Sequence, residues 1–271
     1  MRLLFLGDLV GRAGRDAAIK TLPQLRETLK TDFIAVNAEN ASHGFGLAPE
    51  MADALFAAGA DAITLGNHAW DRKEIIPYIA QEKRLLRPLN FPPGTPGAGA
   101  AVISLPDGRK VLIAQVMGRL FMDPLDDPFR AVEELLSRHR LGQNIDAALI
   151  DVHAEATSEK MAFAHAFDGR VSAVVGTHTH IPTADHQILP AGTGYVTDLG
   201  MCGDYDSVIG MAKAPAIARF IRKMPGDKIS PAEGAATVCG TFVETNAAGL
   251  AVRVEPVRLG GRLRPELPAV E

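Results

Sequence analysis

The chain has 271 residues, 47% of them hydrophobic and 22% charged, with a formal net charge of −4. That is enough apolar matter for a substantial core, in one large α/β domain or two small ones, and it lacks the basic excess of a general nucleic-acid binder. Its two cysteines, Cys202 and Cys239, make neither a disulfide framework nor a four-cysteine zinc site and read as buried free thiols of a reducing compartment.

Leu3, Leu4, Phe5 and Leu6 read as a buried strand that Gly7 and Asp8 end. Four apolar residues are too few for a signal segment or a membrane span, so a cytoplasmic protein with no membrane partner is expected. The glycine-containing stretch 7–14 is a turn into a helix over 15–30 and does not supply the G-x-G-x-x-G of a dinucleotide fold. Arg12 and Arg15 stand where a helix N-terminus favours anions; solvated surface arginines are the plain alternative. A second strand over 33–37 runs into Glu39 and Asn40, then into a small-residue loop holding His43. A helix over 49–58 leads to a strand over 62–65 that ends in Gly66, Asn67 and His68.

A helix over 71–80 precedes a Pro- and Gly-rich loop over 87–99. Strands over 101–105 and 110–116 flank Pro106-Asp107-Gly108-Arg109, a hairpin signature. A helix from Asp127 to about 140 leads to a buried strand over 147–152, which ends at His153 with Asp151 and Glu155 on either side. After a helix over 158–167, the apolar run 171–175 delivers Gly176-Thr177-His178-Thr179-His180. Strand alternation starts His178 and His180 facing the same way. The remainder is β-rich, with strands at 187–189, 194–198, 236–244 and 250–256, one helix over 212–223, and a hairpin turn at 246–249. The tail 260–271 reads as a segment that hugs the surface or frays, and the whole chain 1–271 as a single domain.

Strand–helix alternation with chemistry at the strand ends is the layout of an α/β sheet that binds ligands along its carboxyl edge. Five strand ends carry Asp8, Glu39 with Asn40, Asn67 with His68, His153, and His178 with His180. Acids, amides and imidazoles suit a pair of divalent metals. Singly, Asp8 reads as a helix cap, Asn67 as a turn residue and His153 as a satisfied core histidine; their shared position argues for a site. His139 and His165 fall in helical patterns, and His186 reads as a loop residue.

The order Gly7-Asp8, Glu39-Asn40, Gly66-Asn67-His68, His153 and Gly176-Thr-His178-Thr-His180 resembles the calcineurin-like metallophosphoesterase family. That family's pattern is D-x-H, G-D, G-N-H-D/E, H and G-H-x-H. Here Val10 stands in place of the first histidine, Glu39 in place of the bridging aspartate, and Ala69 in place of the acid after His68. These departures, with Asn37-Ala-Glu-Asn-Ala41, Thr197-Asp-Leu-Gly-Met201 and Tyr205-Asp-Ser-Val-Ile-Gly210, resemble its YmdB-type branch of 2′,3′-cyclic-nucleotide phosphodiesterases.

The resemblance implies a β-sandwich core flanked by helices in four αββα layers. It implies two di- or trivalent metal ions, iron first and Mn, Zn or Co as alternatives. One metal would take Asp8, Glu39, Asn40 and His180, and the other Glu39, Asn67, His153 and His178, with Glu39 bridging. His68 would face the phosphate and serve the leaving oxygen while a hydroxide bridging the metals attacks phosphorus in line. His43, Arg12, Tyr205 and Ser207 are the candidate substrate contacts. The expected partner is a small phosphodiester, with 3′,5′-cyclic nucleotides as further substrates, and a homo-oligomer fits the family. Two other readings stand: a phosphomonoesterase or protein phosphatase on the same site, and a non-catalytic metalloprotein that binds a nucleotide or partner.

Overall fold

The computed structural model describes residues 1–222, 226 and 228–270. One sheet contains β1 (Arg2–Leu6), β2 (Asp8–Leu9), β3 (Phe33–Asn37), β4 (Ala62–Thr64), β5 (Leu85–Leu86), and also β12 (Met201–Asp204), β13 (Ala236–Thr245) and β14 (Ala251–Gly260). Its order is β2-β12-β13-β1-β3-β4-β5, and β14 also pairs with β13. The second sheet runs β10-β11-β9-β8-β7-β6. Its strands are β6 (Ala100–Ser104), β7 (Lys110–Met117), β8 (Ala147–His153), β9 (Ala173–Thr177), β10 (Gln187–Ile188) and β11 (Gly194–Val196). The helices are α1 (Gly11–Leu29), α2 (Pro49–Ala57), α3 (Ile75–Ile79), α4 (Pro128–Arg138), α5 (Thr157–Ala166) and α6 (Lys213–Arg222). None of them is long and apolar enough to cross a membrane.

The period-two alternation of the strands builds the layers. In β1, Leu4 and Leu6 pack with Leu22, Leu25 and Leu29 of α1, while Leu3 and Phe5 join the core between the sheets. In β8, Ala148, Ile150 and Val152 face Val132 of α4 and Phe163 of α5, while Ala147 and Leu149 turn to the other sheet. The result is the expected four-layer αββα sandwich. Extending the inward parity toward the strand ends swaps apolar residues for buried polar ones: Asn37, Thr64, Gln115, Asp151, His153 and Thr177. Parallel pairing sets Gln115 beside Asp151, His153 beside Thr177, and Asn37 beside Thr64. The seam between the sheets therefore ends in a polar floor at the carboxyl edge.

Several elements depart from the sequence expectation. Helix α1 starts at Gly11, four residues ahead of the expected start at 15, because Gly14 is a packing residue there: a Cβ at Gly14 would collide with the Cys202 carbonyl of β12. The helix expected over 71–80 shrinks to α3, and the residues before it form a turn. The short strands β2, β5 and β12 are additions to the sequence reading, since two to four residues carry no periodicity of their own. Strand β9 runs to Thr177, two residues further than expected. The C-terminal hairpin forms as read, with Gly249 at φ 82 in its turn, and Val270 of the tail packs on the helical core. Both cysteines are free and buried. The expected helix end at Lys223 and tail end at Glu271 lie outside the described residues.

Candidate metal centre

Five strand ends converge on the polar floor, and Glu39 sits at their centre. Its Oε1 lies 3.2 Å from His153 Nε2 and accepts from Asn40 Nδ2 at 3.1 Å, while Oε2 accepts the His68 backbone N–H at 3.0 Å. Glu39, His153 and His178 bring ligand atoms together in one cluster, and Asp8, Glu39 and His180 do so in a second. Glu39 belongs to both. Asn67 Oδ1 reaches His153 Nε2 at 2.9 Å, and Asn40 Nδ2 lies 3.2 Å from His180 Nε2. The structure therefore brings together all seven expected ligands. Asn40 would ligate through Oδ1, which a simple amide turn exchanges with Nδ2.

Each histidine has its far ring nitrogen engaged, as metal-bound imidazoles require. His180 Nδ1 donates to the Ile209 carbonyl at 2.8 Å, leaving Nε2 for the centre. His153 Nδ1 lies 2.8 Å from Thr177 Oγ1, which donates to Asp151 Oδ1 at 2.7 Å. Thr64 and Gln115 donate to the other Asp151 oxygen at 2.8 and 2.6 Å. His178 Nε2 lies 3.3 Å from Glu155 Oε2, so its Nδ1 faces inward. Of the two acids that flank His153 in sequence, Asp151 thus orients His153 through Thr177, and Glu155 holds His178.

The expectation that His178 and His180 follow strand alternation is corrected. Strand β9 ends before them, and both adopt positive φ, 98° and 67°. Such backbone is costly for residues other than glycine and persists only where neighbours impose it. Asp198 is the main neighbour. Its Oδ2 accepts from the Thr179 N–H at 3.1 Å and the Thr179 hydroxyl at 2.8 Å, and its Oδ1 accepts from the Gly200 N–H at 2.9 Å. Lys160, fully buried on α5, completes the brace by donating to Asp198 at 2.8 Å and to the Thr177 carbonyl at 2.7 Å.

The charges of the centre call for a cation. Asp8 and Glu39 are both buried, and Asp8 Oδ1 accepts no hydrogen bond. Burial pushes the Asp8 carboxyl up to about 6. Burial also opposes the Glu39 charge, but the His153 and His68 groups outweigh it and hold that carboxyl well below its usual range. Burial disfavours the His153 cation, yet Glu39 and then Asp8 overcome this and raise it to about 9. His178, penalised first by burial and then by the His153 charge, falls to about 3. A buried pair of carboxylates, an orphan oxygen and three imidazoles divided between two clusters fit metal ions.

His68 lies beside this cluster, its ring edge-on to Phe45 with centroids 5.0 Å apart. Its Nδ1 lies 2.8 Å from Asp71 Oδ2. The acid missing at Ala69 is thus supplied two positions further along, by the turn that replaces the expected helix start. The remaining candidates have other partners. Arg12 pairs with Glu233 at 2.8 Å on the surface, and Arg15 pairs with Asp16. Tyr205 Oη accepts from the Met201 N–H at 2.9 Å and reaches the His180 carbonyl at 3.2 Å, bracing the back of the centre. Ser207 accepts from the Gly210 N–H at 2.8 Å and so shapes the turn that presents Ile209. His43, exposed at φ 56, lies 3.4 Å from Arg72, and His186 reaches Thr241 at 3.0 Å.

The chain is 45% identical over 258 residues to the 2′,3′-cyclic-nucleotide 2′-phosphodiesterase of Bacillus subtilis (strain 168), covering 95% of this chain and 96% of that protein. A crystal structure of a hypothetical protein from Thermus thermophilus superposes with a TM-score of 0.90 at 45% identity, covering 97% and 100% of the two chains. That of a novel phosphatase from Mycoplasma pneumoniae gives 0.88 at 35% identity, covering 96% and 93%. With residues 4–257 matched by the model of the YmdB-like proteins, the chain belongs to that family.

Proposed function

We propose that this chain is a metal-dependent phosphodiesterase that opens 2′,3′-cyclic nucleotides, using two metal ions held on either side of Glu39. The observation that carries the reading is the sharing of Glu39 by two ligand clusters, with His68 set beside it. The name of the Bacillus subtilis relative supports the substrate class. Bound metals would supply charge neutralisation at the phosphate and ionisation of water near neutral pH. Oxygen and imidazole donors suit iron, Mn, Zn or Co.

The residues of the chain do the rest. The backbone bond from His68 to Glu39 fixes the imidazole against the ligand cluster. Asp71 holds a proton on His68 Nδ1, so Nε2 is the nitrogen left to deliver a proton to the departing ribose oxygen. In the balanced step, water adds to phosphorus, the bond from phosphorus to the 2′ oxygen breaks, and that oxygen leaves protonated. For a 3′,5′-cyclic diester the corresponding step would add water to phosphorus and break the bond to the 3′ oxygen, which would leave protonated. The phosphatase relative from Mycoplasma pneumoniae supports a second reading, in which the substrate is a monoester.

The test is to measure metal per chain and to assay one sample against 2′,3′-cyclic AMP, 3′,5′-cyclic AMP and a phosphomonoester. About two metals with diester turnover is the expected result. Turnover of the monoester alone transfers the site to the second reading. Metal without turnover of any of the three leaves a non-catalytic metalloprotein, and no metal after reconstitution overturns the centre itself.

A further inference from the structure

A cavity of about 160 Å³ opens beside the metal centre, lined by Asn67, Met117, Phe121, Met122, Asp123 and His178. Two of these residues, Asn67 and His178, also belong to the ligand set. Phe121 is 91% exposed, the most exposed of the large hydrophobic side chains described. Its φ is 62°, a conformation that a bulky aromatic residue rarely adopts.

The loop that carries Phe121 is nevertheless well tied. Gly118 N–H donates to the His153 carbonyl at 3.0 Å. The N–H groups of Arg119 and Leu120 donate to the Glu159 carboxylate at 2.9 and 3.1 Å. A bulky ring is therefore held out in water, on strained backbone, by a loop anchored to the strand that supplies His153. Burial elsewhere would be the default for such a side chain. Its position pays off only when a flat apolar group comes to cover it.

We propose that Phe121 is the nucleobase platform of the substrate pocket: the base stacks on its ring while the cyclic phosphate occupies the metal centre. This rests on the phosphodiesterase reading above and names the part of the substrate that the ligand residues leave unbound. Met117 and Met122 line the pocket with deformable thioethers that adapt to either ring size. Stacking tolerates every base, because each presents a π face, so the platform confers a preference for nucleosides over base-free sugars without choosing among bases.

The experiment compares the metal-loaded wild type, Phe121→Ala and Phe121→Trp on two diesters: 2′,3′-cyclic AMP and the 2,3-cyclic phosphate of methyl riboside, which has no base. The wild type should favour the nucleotide. Phe121→Ala should reduce that preference roughly tenfold or more, through KM, and Phe121→Trp should keep it. An unchanged preference in Phe121→Ala overturns the platform, as does an equal loss on both diesters, which would mark a structural role for the loop. Equilibrium binding of adenosine 3′-monophosphate against ribose 3-phosphate needs no turnover. If the wild type hydrolyses neither diester, the phosphodiesterase reading fails, and selective weakening of nucleotide binding in Phe121→Ala still decides the platform.

Discussion

Residue by residue, the centre divides into groups that hold charge and groups that hold those groups still. Glu39 is the hinge of the first set. Glu39→Gln removes the bridging charge while preserving shape, and elemental analysis should find at least one metal lost from each chain. His68 and Asp71 act on the proton. His68→Ala should lower kcat by roughly 10²–10⁴, and Asp71→Asn by about tenfold within the same mechanism. Both should keep wild-type metal content; a loss of metal in either would place that residue among the ligands instead. The candidate ligands were readable in the sequence because acids, amides and imidazoles collected at the ends of apolar runs. Asp71 was not, because its link to His68 depends on a turn that helical periodicity disguises. Nor was the Thr177 hydroxyl that joins His153 to Asp151, since a hydroxyl one strand away leaves no spacing signal.

Among the elements, the segment after β9 shows how a strained loop is kept. Lys160 stands on α5 between Glu159 and Met161, and only the fold reveals that it reaches Asp198. Lys160→Met would leave the buried Asp198 unpaired, at a cost of about 3–5 kcal/mol. Urea unfolding should show that loss, and pairing the change with Asp198→Asn should restore part of it; an unshifted midpoint in Lys160→Met would mean that the buried ion pair contributes nothing. Close approach matters at Gly176 as well, where a Cβ would fall on the Thr197 carbonyl of the segment after β11. Gly176→Ala should force β9 and that segment apart and cost metal as well as stability, read by elemental analysis and thermal melting. Long strands and helices were legible from periodicity. Helix starts at glycine and the two-residue strands β2 and β5 were not, because their existence is decided by the neighbour they pack on.

Across the whole molecule, the two buried carboxylates at the seam make folding and metal binding one equilibrium. Removing metal with a chelator should lower the melting temperature, and restoring it should raise the melting temperature with the free-ion concentration. A melting temperature indifferent to metal would separate the centre from the fold. The four-layer sandwich was within reach of the sequence through the resemblance of its motifs, whereas the order of strands across the sheets depends on pairings far apart in the chain. One of those pairings has a consequence in time. Strand β13 pairs with both β1 and β14, and β12 joins β2, which carries Asp8. During synthesis, β1 must wait for β13, more than 200 residues later, before their sheet can close. Asp8 therefore lacks its walls until β12 and β13 have left the ribosome. Metal capture is then a late event of biogenesis, and a nascent chain halted before residue 236 has no closed site to load.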